Sequence, residues 1–563
     1  MSSPIIGIDL GTTSSLVAVM DGDHPHLIAD SFGRTVMPSL VVIKRDKSIV
    51  VGHDAQQEAK KYSEGNLLVA SMKRSMGRHK EYGEHNSKMP VQVLTAIILA
   101  ELKILAETFL GVSVSFAVIA VPANFSFSQR QFTREAALIA GLEPLRIVNE
   151  ATASLCALRD RFEGLVVAAD LGGGTFDVSA IECGDGVFEV KATSGDDQLG
   201  GDDFTSVVTQ LILSKIPNQF VPTFLQRDPI TSQRLTDAAE QAKRDLSSSD
   251  IAEIIIPCVT TRHGDYQTLN VSITRNEFEG ACEPLFSRLE EVVRKVWSES
   301  GFKKYSDPPS PSAKPSASVT TPPRKKRNWF SRMFFPKEKE PQIAPQPPPP
   351  IPQPQQNQTT TPCIWLIGNA SRIPEIRRRL QSKYRAWHPP GMLDLKEPVV
   401  LGAAKIGGIL SGLAKNTLLL DVTPNTLSIE AEGGVAESII ARNTTIPTRR
   451  AKTFTTVHDN QTSINIRIFE GERPMSKDNK LLGTLRIENI ALARAGVPKI
   501  EVCFDVNPDG LLVVTGTDIA TKKSGELRCS ELVLSERQLN EYHLLVQKWV
   551  HQRCHSQKTS SYD

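Results

Sequence analysis

Gly7-Ile8-Asp9-Leu10-Gly11-Thr12-Thr13-Ser14-Ser15 and, later in the chain, Ala169-Asp170-Leu171-Gly172-Gly173-Gly174-Thr175-Phe176-Asp177 are two versions of one device. Each follows an apolar run, sets an aspartate at its end and turns through small and hydroxyl residues. The backbone amides of such a turn can wrap a triphosphate, and the aspartate can hold a hydrated divalent cation. A single glycine-rich turn can equally be a plain hairpin. Two acid-tipped copies point instead to a duplicated α/β unit with a nucleotide between two lobes.

The surrounding pattern agrees with that reading as far as about Lys415. Strand-like runs (Ile5 to Leu10, Phe116 to Val121, Leu165 to Asp170, Cys363 to Ile367) alternate with helical ones (Leu94 to Leu110, Ser128 to Ala140, Thr231 to Leu246). From Asp421 to Leu534 the texture becomes short β runs between turn clusters such as Asn507-Pro508-Asp509-Gly510, which reads as an all-β sandwich. Sixteen of the 36 prolines fall between Pro308 and Pro362. That stretch buries too little apolar area to offset ordering, so residues 303–361 read as a disordered insert within the first domain. Ser535-Glu536-Arg537-Gln538 is a capping-box pattern, and Leu539, Tyr542, Leu545, Val546 and Trp549 follow at helical spacing. The domains expected are therefore 1–302 with 362–415, a linker at 416–421, a sandwich at 422–534 and a short helical segment at 535–563.

With 65 Lys and Arg against 63 Asp and Glu, the 563-residue chain has no overall basic field, which argues against nucleic acid as a partner. The eight cysteines have no metal-binding spacing, and no apolar run reaches membrane-spanning length. A cytoplasmic protein is the expectation.

Further segments extend the two loops into a resemblance. They include Met72-Lys73-Arg74-Ser75-Met76-Gly77-Arg78, Val148-Asn149-Glu150-Ala151-Thr152-Ala153, Leu199-Gly200-Gly201-Asp202-Asp203-Phe204, Glu240-Gln241-Ala242-Lys243-Arg244-Asp245-Leu246-Ser247 and Leu418-Leu419-Leu420-Asp421-Val422-Thr423-Pro424. In these, and over nearly all of the chain outside 303–361, the sequence resembles the 70 kDa heat-shock (DnaK-type) chaperones. The resemblance implies a two-lobed actin-like ATPase domain, ATP or ADP with Mg2+, and an ATP-dependent chaperone of the stress-response type. Lys73, Glu150, Asp170, Thr175 and Asp177 would carry the chemistry, with Asp9 and Asp170 holding Mg2+ mostly through water. Gly11, Thr12, Thr13, Gly172, Gly173, Gly174, Gly200 and Gly201 would surround the phosphates. Glu240, Lys243, Arg244 and Ser247 would form one wall of the adenosine pocket, Gly368 and Arg372 the other. From spacing alone, Lys73 reads as a solvated surface charge and Glu240 with Lys243 and Arg244 as an exposed helical ion-pair ladder.

For the sandwich, the resemblance implies a channel that grips extended client polypeptides, with Ile429, Phe454, Gln461, Ile464, Ile466 and Ile500 at pocket positions. Alternating isoleucines of a β-domain also read simply as core. Glu432 and Val457 stand where the family usually has Met and Ala, which suggests a changed peptide preference, toward basic segments. Leu418, Leu419, Leu420 and Asp421 would couple the domains, with Arg130 sensing the linker; alternatively they are the first strand of the sandwich. Ala151 replaces a usual proline, Asn369 a usual glycine, and the helical lid is truncated. J-domain proteins and a nucleotide exchange factor are the implied partners. The basic-aromatic segment Arg324 to Phe335 adds a peripheral membrane or protein contact. The rival readings are a carbohydrate kinase, an ATP-binding sensor or adaptor, and a nucleotide-insensitive holdase.

Overall fold

The computed structural model describes residues 4–61, 65–83, 88–157, 164–217, 220, 229–261, 265–301, 363–384, 386–387, 395, 397–413, 418–528 and 534–560. The expected insert, with its 324–335 segment, and the first linker residues therefore lie outside the described residues.

Two lobes share one topology. In lobe I, β1 (Ile5–Asp9), β2 (Ser14–Asp21) and β3 (His24–Leu27) form a meander, and β4 (Phe116–Val121) and β5 (Glu143–Asn149) add in parallel on the other side of β1, giving the order β5-β4-β1-β2-β3. Lobe II repeats this with β6 (Gly164–Leu171), β7 (Phe176–Gly184) and β8 (Val187–Asp196), flanked by parallel β9 (Cys363–Ile367) and β10 (Ala386–Trp387). The Asp-Leu-Gly loops join the first two strands of each meander, so duplication places them facing each other.

In lobe I, α1 (Val91–Leu110) is buried on most sides, as its apolar sequence demands, and ends at Gly111 in the left-handed conformation. Next, α2 (Phe127–Ile139) opens with a capping box between Ser126 and Gln129. Two helices form the seam between lobes, α3 (Glu150–Ala157) and, much later, α8 (Glu397–Leu410). They cross so closely that a Cβ at Gly402 would overlap the Ala153 carbonyl. Lobe II adds α4 (Gly201–Ser214), α5 (Pro229–Asp245), α6 (Glu283–Glu299) and α7 (Pro374–Tyr384). Residues from both sides of the undescribed 302–362 stretch, Val293 and Val296 before it and Ile364 and Leu366 after it, share the core of this lobe.

The linker is a strand, β11 (Leu418–Val422). It extends the lobe II sheet by parallel pairing of Leu418, Leu419 and Leu420 with Val187, Phe188 and Glu189 of β8. Its end pairs antiparallel with β14 (Thr445–Ile446) of the next domain. The Leu-Leu-Leu-Asp run thus pairs with the second lobe and leads into the sandwich. The sandwich proper has two four-stranded sheets. One is β13 (Ala436–Ile440), β12 (Leu427–Glu430), β16 (Ser463–Glu470) and β17 (Lys480–Glu488). The other is β15 (Thr448–Thr455), β18 (Lys499–Val506), β19 (Leu512–Asp518) and β20 (Ser524–Arg528).

The terminal helix differs from the expected lid. Ser535 and Gln538 exchange the expected capping bonds, but α9 (Glu536–Ser560) runs on through the polar tail beyond Trp549. It packs on α1 and α2 of lobe I rather than across the sandwich. Val546 and Trp549 enter the lobe I core, the Trp549 indole donates to the Ile49 carbonyl at 3.0 Å, and Arg553 pairs with Glu101 and Asp54. The apolar stripe of this helix needs a partner surface, and lobe I supplies it.

Candidate functional site

A cleft of about 1520 Å³ opens between the lobes, lined by both Asp-Leu-Gly loops. At its floor the loops nearly touch. A Cβ on Gly173 would strike the Thr13 side chain and one on Gly174 the Thr12 side chain, so only glycine lets two hydroxyl-bearing turns face each other this closely. Asp9, Gly11, Thr12, Thr13 and Thr175 line the floor, as do Gly172 and Gly173. Gly174, Gly200 and Asp177 are not on the lining surface. Gly200 instead packs against the Gly173 and Gly174 backbone, just before the start of α4, while Gly201 reaches the cleft.

Lys73 is not a solvated surface charge: it is 7% exposed, and its Nζ lies 2.5 Å from Glu150 Oε1. Burial works against its ammonium, but Glu150, Asp9 and Asp177 outweigh burial and hold its pKa above the ordinary lysine value. Burial, then the Glu150, Asp9 and Asp177 charges, push the Asp170 carboxyl well above the usual range, with Lys73 pulling back only in part. Burial and Glu150 likewise raise Asp177 to about 8, despite the Asn124 amide that donates to it at 3.2 Å. The other oxygen of Asp177 is buried with no partner. Asp170 and Asp177 are thus pushed toward their protonated forms, and a hydrated divalent cation beside them would favour their charged forms instead. Among the described residues no three His, Cys, Asp or Glu side chains converge tightly enough to ligate a metal directly.

The opposite wall is built on α5. Glu240 accepts from Lys243 Nζ and Thr205 Oγ1, each at 2.6 Å, and from Arg244 Nε at 3.0 Å. Burial opposes its charge, but these bonds hold its carboxyl below the ordinary value. Lys243 is buried and also donates to the Gly201 carbonyl at 2.9 Å, which fixes the start of α4, whereas Arg244 extends along the cleft. The ladder reading therefore fits Arg244 and fails for Lys243. Ser247 lines the same wall, and Gly368, Arg372 and the exposed Asn369 stand across from it. Sequence reading missed two clasps over the cleft. Ser71 Oγ donates to Asp202 at 2.7 Å, and Arg74 bonds the Gly174 carbonyl and Asp203. Arg74, Asp202 and Asp203 stand in the quoted Met-Lys-Arg-Ser and Gly-Gly-Asp-Asp segments, whereas Ser71 lies one residue before the first of them.

A buried polar chain leads from the cleft to the linker. Next to Glu150, Asn149 accepts from Arg130 at 2.5 Å and donates to Asp421 at 2.8 Å, while Thr152 donates to the same Asp421 oxygen at 2.9 Å. Arg130 also donates to the Asp509 carbonyl at 3.3 Å, and Asp509 Oδ1 takes the Ile147 amide at 3.2 Å. In the sequence, Asp509 is one residue of the Asn507-Pro508-Asp509-Gly510 turn cluster, with nothing local to mark this contact. A second contact joins Arg442 and Asn443 of the sandwich to Glu299 and to the Thr193 backbone.

In the sandwich, three expected pocket residues are core. Ile429, Ile466 and Ile500 are buried together, because their strands turn those positions inward. Phe454 and Ile464 sit at the margin, while Glu432 and Val457 are exposed, Val457 by 68%. Gln461 spends its amide on its own loop, accepting from the Val457 and His458 amides and donating to the Ser463 carbonyl.

A family model described as Hsp70 protein matches residues 5–307 and 355–557, which takes in both lobes, the linker, the sandwich and nearly all of α9. The chain belongs to the Hsp70 family.

Proposed function

We propose that this protein is an ATP-dependent chaperone in which nucleotide state in the interlobe cleft controls the grip of the sandwich on extended apolar segments of unfolded clients. Members of the family are ATPases that act with Mg2+. Bound ATP would supply the scissile phosphoanhydride. Around it Lys73 would neutralise charge on the terminal phosphate, Glu150, Asp170 and Asp177 would orient the attacking water and the hydrated cation, and Thr12, Thr13 and Thr175 would hold phosphate oxygens. J-domain proteins and exchange factors, general partners of the family, would act on this cycle.

One observation carries the reading. Asn149 and Glu150 are consecutive residues, yet Glu150 pairs with Lys73 inside the cleft while Asn149 binds Asp421 of the docked linker. Any shift of Glu150 on hydrolysis would reach the linker through one peptide bond. The test is fluorescence anisotropy of a labelled Leu-rich peptide with ADP and then ATP, for wild type and Lys73→Ala. ATP should speed release in both, and only wild type should return to slow release without nucleotide exchange. Peptide binding indifferent to nucleotide would refute coupling.

A further inference from the structure

Past Trp549 the terminal helix α9 leaves its apolar stripe behind, yet it continues for about three more turns, through Val550-His551-Gln552-Arg553-Cys554-His555 and on to Ser560. His, Cys, Ser and Thr are weak helix formers, so these turns need support beyond their own propensity. Lobe I holds one side of them. Val550 and Cys554 pack against its core, and Arg553 pairs with Glu101 at 3.0 Å and with Asp54 at 2.7 Å. The solvent side carries His551 and His555, both exposed.

Four residues apart on a helix, two side chains share one face. Here the imidazoles turn toward each other: their Nε2 atoms lie 3.1 Å apart, and the ring planes stand at 85°. An exposed pair of this kind can simply share one hydrogen bond. Three features carry it further. The approaching atoms are the same nitrogen of each ring, at the His-x-x-x-His spacing that puts two imidazoles on one metal in helical zinc sites. Two nitrogens each roughly 2.0–2.1 Å from a tetrahedral zinc stand about 3.3 Å apart, so a cation enters with only a small spread of the pair. And a link from 551 to 555 closes one turn of helix where the sequence supports helix least.

We propose that His551 and His555 form a two-imidazole chelate for a divalent transition-metal ion of the zinc type, which staples the polar end of α9. Neutral imidazole suits Zn2+, Cu2+ and Ni2+, whereas Mg2+ prefers oxygen, so this site and the carboxylates of the cleft take different ions. The cation takes the place of the proton shared between the two Nε2 atoms, and each neutral ring keeps one N–H, now on Nδ1. No third His, Cys, Asp or Glu converges on the pair among the described residues, so water fills the remaining positions and the ion stays exchangeable. Arg553 lies between the two histidines, and fixing this turn fixes its reach to Glu101 and Asp54. The metal therefore tightens the hold of α9 on lobe I. The site is separate from both the cleft and the sandwich.

The test titrates Zn2+ into the nucleotide-free full chain against a zinc-sensitive dye, with excess Mg2+ present to compete at the cleft carboxylates. His551→Gln and His555→Gln should each weaken the tightest zinc site at least about tenfold, because either one breaks the chelate. His458→Gln, at an exposed histidine of the sandwich, should leave it within about twofold. Zn2+ should also slow hydrogen exchange at the amides of residues 551–555 at least about threefold in wild type and leave it unchanged in His555→Gln. Both side chains are exposed, so either variant keeps the lobe I contacts of α9. A tightest zinc site indifferent to both substitutions, a loss on only one of them, or zinc that leaves exchange of this turn unchanged in wild type overturns the chelate and leaves the pair a hydrogen bond.

Discussion

In the cleft, the groups suited to chemistry are charged and buried: Lys73, Glu150, Asp170 and Asp177 are all less than a tenth exposed. In the sandwich, the residues matched to a pocket are apolar except for Gln461, and Ile429, Ile466 and Ile500 already fill the core. Burying a carboxylate runs against solvation, so a cluster of buried charge needs an explanation beyond folding. A buried isoleucine needs none.

The sharpest way to break this contrast is Lys73→Ala, which leaves Glu150 buried without its cation. ATP hydrolysis should fall by about 10² to 10³, read in single-turnover assays; a rate within threefold of wild type would return Lys73 to an incidental charge. The pH dependence comes next. With its pKa raised to about 8, Asp177 carries a proton at neutral pH when no cation is bound, and a cation must displace it. Mg2+ affinity should therefore climb as pH rises from 6 to about 8 and then level, and Asp177→Asn should flatten the climb. A profile falling across that window would contradict the assignment. The smallest effect belongs to the sandwich. Ile466→Val should cost about 0.5–1.5 kcal/mol of stability in urea unfolding, with affinity for a Leu-rich peptide unchanged within twofold. A large affinity loss at full stability would make Ile466 a pocket residue after all.

These differences explain what could be read in advance. The paired Asp-Leu-Gly loops were legible because an aspartate, glycines and threonines recur in the same order, and duplication doubled the signal. Lys73 was not legible from spacing, since a lysine between Met72 and Arg74 shows its burial only once Glu150 is brought beside it. The position of α9 was hidden for a related reason. Its apolar stripe predicted a helix, but the surface it covers is made by α1 and α2, several hundred residues earlier. Asp509 looked like any turn residue because its partners, Arg130 and Ile147, belong to another domain. Long-range polar contacts leave no periodicity in a sequence, so the linker and Arg130 were named for coupling only through the resemblance, and Asp509 was not named for it at all.

That connection is best tested by hydrogen exchange at the amides of Leu418 to Val422, with ATP and with ADP bound. Paired to β8 and β14, and anchored by Asp421 to Asn149 and Thr152, these amides should be protected with ATP and exchange at least tenfold faster with ADP. Equal protection in the two states would mean that the linker does not report on the cleft, and the coupling account would fall.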